Sequence, residues 1–176
     1  DRFSVVEPAK HHLLAIAVCL SSAVALWQDS ASQDNGFSRV KLIFDQKAYG
    51  LARPGFLTLA EEGDARAMFY LGVIYNQGLG TAVDLKEAFA WYEKAAKLGH
   101  AVAQYNLGNA FKHGRGTSKS EELAVLWWQK AADQGQENAQ YNLALQYYLG
   151  LGVAKDLDKA VFYFHEAAKG GHPQAK

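Results

Sequence analysis

Three kinds of residue in this chain have types and spacings suited to chemistry: a Ser-x-x-Lys string, three Gly-x-Gly pairs and six histidines. Ser38-Arg39-Val40-Lys41 has the form in which a lysine activates a serine for acyl transfer. Neither Ser-Asp-Asn nor Lys-Thr-Gly accompanies it, so it reads as chance. The pairs Gly78/Gly80, Gly114/Gly116 and Gly150/Gly152 would cradle a phosphate only within a longer glycine pattern. They continue instead as Thr-Ala-Val, Thr-Ser-Lys and Val-Ala-Lys, and neither a Walker-type string nor His-Glu-x-x-His occurs. The histidines make no ligand set: His100 and His172 occupy equivalent positions two periods apart. His113 precedes Gly114, where a basic side chain suits a helix C-terminus, and His165 shares a polar outer position with Glu93 and Gln129. No catalytic residue, no metal site and no cofactor is expected.

What positions these residues is a repeat. A block of 36 residues recurs three times without insertion or deletion, over 64–99, 100–135 and 136–171. Ala88 returns as Ala124 and Ala160, the pair Ala95-Ala96 as Ala131-Ala132 and Ala167-Ala168, and Gly99, Gly135 and Gly171 close the units. A fixed period of this length signals a solenoid of stacked units, which presents surface for binding.

Each unit reads as two helices. Ala67, Leu71 and Tyr75, then Ala103, Leu107 and Phe111, make the one-sided stripe of a first helix. Gly72, Gly108 and Ala144 follow the leucines, and an interior glycine predicts close approach of the partner helix. The first glycine of each pair suits the left-handed end of that helix. Asp84, Ser120 and Asp156 are N-cap residues for a second helix, with Glu87 completing a capping-box pattern. The second helix shows a face of Ala88, Trp91, Tyr92, Ala95 and Ala96, with Trp127-Trp128 and Tyr163-Phe164 at the aromatic positions. The fold class is therefore all-α, an α-solenoid of helix-turn-helix repeats.

Outside the repeats, residues 28–38 with the turn signal Asn35-Gly36 read as a linker, and 33–63 as linker plus a degenerate capping half-repeat broken at Pro54-Gly55. Residues 172–176 read as the stub of a further unit, and the start at Asp1 leads us to expect a piece of a longer sequence. Leu13 to Trp27 is an uncharged apolar run after Lys10, His11 and His12. Segment 1–32 is thus read as a signal peptide cleaved before Leu26 or Gln33, as a short membrane anchor through 11–27, or as a buried helix. Acidic and basic residues balance at 18 each, which argues against nucleic acid as a partner. The one cysteine, Cys19, rules out a disulfide framework within the molecule.

The strings 78–99 (GLGTAVDLKEAFAWYEKAAKLG), 103–111 (AQYNLGNAF) and 139–160 (AQYNLALQYYLGLGVAKDLDKA) resemble Sel-one-like repeats, relatives of tetratricopeptide repeats. The resemblance covers 64–171 fully and 48–63 loosely, but departs from the cysteine-rich branch, since the units hold no cysteine. It implies a right-handed solenoid and a non-enzymatic adaptor for a protein or peptide, in the bacterial envelope, a secretory lumen or an organelle membrane complex. The alternative is a structural subunit of a membrane complex held by an uncleaved anchor. It also implies that the first helices line a concave groove. The groove residues expected on that basis are Arg66 and Asn76, Tyr105, Asn106, Asn109 and Lys112, and Asn138, Tyr141, Asn142 and Tyr148. Tyr105 and Tyr141 are equally placed to pack between the two helices of their unit.

Overall fold

The computed structural model describes residues 35–175. The apolar run 13–27, its cleavage sites, Cys19 and residues 28–34 of the expected linker lie outside them. The described residues form eight α-helices and no strand. Helix α1 occupies 35–45, followed by α2 (Tyr49–Glu61), α3 (Ala65–Gln77) and α4 (Leu85–Lys97). Then come α5 (Ala101–His113), α6 (Glu121–Ala132), α7 (Glu137–Leu149) and α8 (Leu157–Gly170). They stack as an α-solenoid in which α3/α4, α5/α6 and α7/α8 are the three repeat pairs.

Local chemistry fixes where these helices start and stop. Asp84 Oδ1 accepts from the amides of Lys86 and Glu87, both at 3.0 Å, and Ser120 and Asp156 do the same for Leu123 and Lys159. The expected capping box does not close, because the Glu87 carboxylate instead accepts the indole N–H of Trp91 at 3.0 Å. The first helices end on Gly78, Gly114 and Gly150, all left-handed.

Inside a unit, the aromatic ring of the second helix lies flat against the first helix at its small residue. A Cβ on Gly108 would sit 2.5 Å from the indole of Trp128, and one on Gly72 equally close to the ring of Tyr92. Trp128 is only 2% exposed and donates its indole N–H to the Tyr105 carbonyl at 3.2 Å. The close approach is thus by an aromatic side chain, which the interior glycine alone does not specify.

Between units, the second turn glycine does the joining. Gly116 is left-handed, at φ 72°, and any Cβ there would lie 2.0 Å from the Leu85 carbonyl oxygen. Gly152 meets Glu121 in the same way, and Gly80 meets Tyr49 and Gly50. Each turn therefore seats on the first residues of the preceding unit's second helix. The buried side chains of Gln104 and Gln140 donate to the Ala96 and Ala132 carbonyls at 3.1 and 3.4 Å, and so satisfy carbonyls near the ends of α4 and α6.

The start of the stack differs from the sequence reading in two respects. Residues 35–38, expected as linker, are helical, because Phe37 packs against Phe56 and Tyr70 with ring centroids 6.1 and 5.8 Å away. The expected break at Pro54-Gly55 is absent: Pro54 lies within α2, on its exposed side, and Gly55 lies against Val40 of α1. The helical path breaks earlier, at 46–48, where Lys47 takes a left-handed φ of 63°. Because Gly80 seats on the start of α2, the α1/α2 pair stands where the two helices of a preceding unit would stand.

Candidate functional site

Side chains of the first helices α3, α5 and α7 border two adjoining concavities. One of about 300 Å³ sits between α3, α4 and α5, with Phe69, Val73 and Phe89 as its apolar walls and Asn76, Asn106 and Asn109 as its amides. The second, of about 540 Å³, is lined by Tyr105, Asn109, His113, Arg115 and Asn142. Asn109 and Arg115 belong to both, so the two make one groove across the first and second repeats and onto α7.

Repeat register gathers the amides. Asn106 and Asn142 are equivalent residues of successive units, and Asn142 Nδ2 donates to Asn109 Oδ1 at 3.3 Å across the repeat boundary. Asn106 also hydrogen-bonds the phenol of Tyr92, a residue only 6% exposed. Burial pushes that phenol up to about 12, against the opposing pull of the Asn106 hydrogen bond and the Arg115 charge. Tyr92 is therefore a neutral wall of the groove at ordinary pH.

The structure thus brings together Asn76, Tyr105, Asn106, Asn109 and Asn142, five of the ten residues expected from the sequence. The other five lie elsewhere. Arg66 pairs with Asp64 at 2.8 Å and lies over the Phe37 ring at 4.2 Å. Lys112, its side chain 22% exposed, pairs with Glu121 at 2.6 Å and reaches Gln146 at 3.4 Å, so its charge is already matched. Tyr141 stacks on His172 at 4.2 Å and meets Phe164 edge-on, which is the packing alternative for that position. Asn138 is half-buried in the first turn of α7 and lines neither concavity. Tyr148 is exposed, with the Lys155 ammonium 5.6 Å from its ring centre.

The groove also takes in residues that the sequence reading did not place there, among them Phe89, Tyr92, His113 and Arg115. Arg115 is the middle residue of its Gly-x-Gly turn, where the other two units carry Leu79 and Leu151. That substitution of a cation for an apolar residue at a fixed register was the available signal. The groove lining holds Arg115 and His113 but no Asp, Glu, Ser, Thr or Cys. What it offers is hydrogen-bonding amides, apolar walls and positive charge. Among the described residues no group of three His, Cys, Asp or Glu side chains converges as a metal site would.

The profile of the family described as "Sel1 repeat" matches residues 65–100, 101–136 and 138–172. The mouse protein sel-1 homolog 2 is 38% identical over 101 residues, which span 53% of this chain and 15% of that protein. Among solved structures, a Sel1 repeat protein from Oxalobacter formigenes superposes with a TM-score of 0.75 at 31% identity, over 78% of this chain and 56% of that one. The c5321 protein, a protective antigen of uropathogenic Escherichia coli strains with an SLR fold, superposes at 0.67 and 36% identity, over 70% of this chain and 26% of its own. This chain spans well under two thirds of each of these relatives.

Proposed function

The chain belongs to the Sel1 repeat family, and from that footing we propose that it captures an extended segment of a partner protein in the groove along α3, α5 and α7. Sel1 repeats are protein–protein interaction scaffolds, a non-catalytic fold; the groove and the extended ligand are the finer reading. The observation that carries it is the set Asn76, Asn106, Asn109 and Asn142 spread over two adjoining concavities that share Asn109. A side-chain amide both donates and accepts, so amides spaced along a groove complement the alternating N–H and C=O groups of an extended backbone. Phe69, Val73 and Phe89 give an apolar side chain of the ligand a surface to lie on. A groove of this size supports a modest, reversible interaction, with affinity set by a few anchors rather than by area.

The test is selection of a randomised octapeptide library on the immobilised protein. Asn109→Ala with Asn142→Ala should abolish enrichment while the helical signal and melting curve persist, since both side chains are half-buried and bond mainly to each other. Unchanged enrichment on the doubly substituted protein would sink the groove reading. The apolar run 13–27 supports a second proposal, that the scaffold works exported or tethered at a membrane. Mass spectrometry of the native N-terminus checks it: a start at Leu26 or Gln33 means export with cleavage and eliminates the tether, and an intact run eliminates the cleaved signal. Among the described residues no helix is long and apolar enough to cross a membrane.

A further inference from the structure

We propose that Arg115 is a carboxylate-recognition residue, so that the segment held in the groove carries an acidic group next to an apolar side chain. The inference rests on the groove reading and specifies its ligand. It begins with how the arginine is held. Gly114 and Gly116 on either side are both left-handed, and the Arg115 amide donates to the Ala110 carbonyl at 2.9 Å. Gly116 is in turn seated on the Leu85 carbonyl of the preceding repeat. The backbone that carries the exposed Arg115 side chain is thus fixed relative to both repeats before any ligand arrives, which leaves only side-chain freedom to be lost on binding.

The second observation is charge. Among the described residues Arg115 has no ion-pair partner, whereas Lys112, one turn earlier, is matched by Glu121, and Arg66 by Asp64. No acidic residue lines either concavity, so the cation shared by both stands among amides, aromatic and aliphatic side chains and His113. A positive site with neighbouring donors and no internal anion complements a carboxylate, which a guanidinium can grip through two parallel hydrogen bonds. Beside it the Phe69, Val73 and Phe89 walls take the adjoining apolar side chain.

The third observation is the register. The same turn position is Leu79 in the first unit, packed against the hydrophobic core, and Leu151 in the third. The fold accepts leucine there, so an arginine is not needed to close the turn. Arg115→Leu is for the same reason a substitution the protein should fold with.

The carboxylate is that of an Asp or Glu side chain within the segment, because Arg115 lies where the two concavities meet and the groove runs on to either side of it; the terminal carboxylate of a polypeptide is the competing source. The octapeptide library separates them when presented once with a free C-terminus and once anchored through it. On the wild-type protein the anchored library should enrich Asp and Glu; enrichment confined to the free-ended library would overturn the side-chain source. Individual hits should bind Arg115→Leu about 10- to 100-fold more weakly, and should weaken on wild type as salt is raised. The proposal is overturned if hits carry no excess of carboxylates, or if Arg115→Leu binds the acidic hits as well as wild type does. Neutral peptides that enrich on both and are lost with Asn109→Ala/Asn142→Ala would leave the groove standing and remove the arginine's role. No enrichment in either format would remove both.

Discussion

Replacing Gly108 by alanine sets helix propensity directly against packing. Alanine is favoured over glycine inside a helix by about 1 kcal/mol, so on propensity alone Gly108→Ala should stabilise α5. The new methyl carbon, however, would lie 2.5 Å from Cδ1 and Nε1 of Trp128. That ring is rigid and almost wholly buried, so it cannot swing aside as the end of a lysine could. Overfilling such a site costs about 1–3 kcal/mol. A displaced indole also strains or loses its hydrogen bond to the Tyr105 carbonyl, which adds about 1 kcal/mol. The net expectation is a loss of about 1–3 kcal/mol, which for a protein of this size lowers the melting temperature by about 2–12 °C. Thermal and urea unfolding followed by far-UV circular dichroism measure it. In the third unit the same two positions hold Ala144 and Phe164, so the alanine should be nearly neutral when introduced into Trp128→Phe. A Gly108→Ala protein that melts at or above the wild type, or an equal loss in both backgrounds, would refute the reasoning.

Two other substitutions separate the remaining contributions. Gly135→Ala meets only the penalty of a left-handed φ, about 1–2 kcal/mol, since nothing lies near its would-be Cβ. Gly116→Ala meets the same penalty plus the Leu85 carbonyl, so urea unfolding should find it clearly the less stable; equal losses would mean that the turn does not couple the repeats. For Asp64, burial raises the carboxyl, but the Arg66 side chain and the amides of Arg66 and Ala67 outweigh it and leave the group lowered from 3.8. A lowered carboxylate contributes stability that is complete above its unfolded value and is lost as pH falls through the folded one. Asp64→Asn keeps a capping oxygen but no charge, so its melting temperature should fall less than that of wild type between about pH 5 and about pH 2. Parallel curves would show that the charge of Asp64 is irrelevant to the fold.

Much of the architecture is local, and local features are legible in a sequence. The 36-residue period, the caps at Asp84, Ser120 and Asp156, and the left-handed Gly78, Gly114 and Gly150 each follow from residue types a few positions apart. Contacts between distant parts of the molecule were not legible. Whether Asn35–Ser38 is helix or linker depends on Phe37 reaching Tyr70, and the fate of Lys112 depends on Glu121 across a turn. Gln104 and Gln140 look like surface residues until the carbonyls of the preceding helix lie beneath them. In the candidate groove the asparagines were visible because the period aligns them. Arg115 was missed because Gly-x-Gly reads as a turn, and only the docking of that turn on α4 carries its middle residue toward the groove.

Every substantial helix–helix contact among the elements α2 to α8 joins helices that are neighbours in sequence. Such a molecule closes no long loops as it forms, so its contact order stays low however many units it has. Any helix pair can serve as the first structured region, from which order spreads in both directions. The same connectivity has a cost under load or protease. Among the described residues no strand or helix ties one end of the stack to the other, so it opens from its ends inward, one unit at a time. The turns at Gly116 and Gly152 are where that unzipping pauses, because each must lift off its neighbour before the next helix is released.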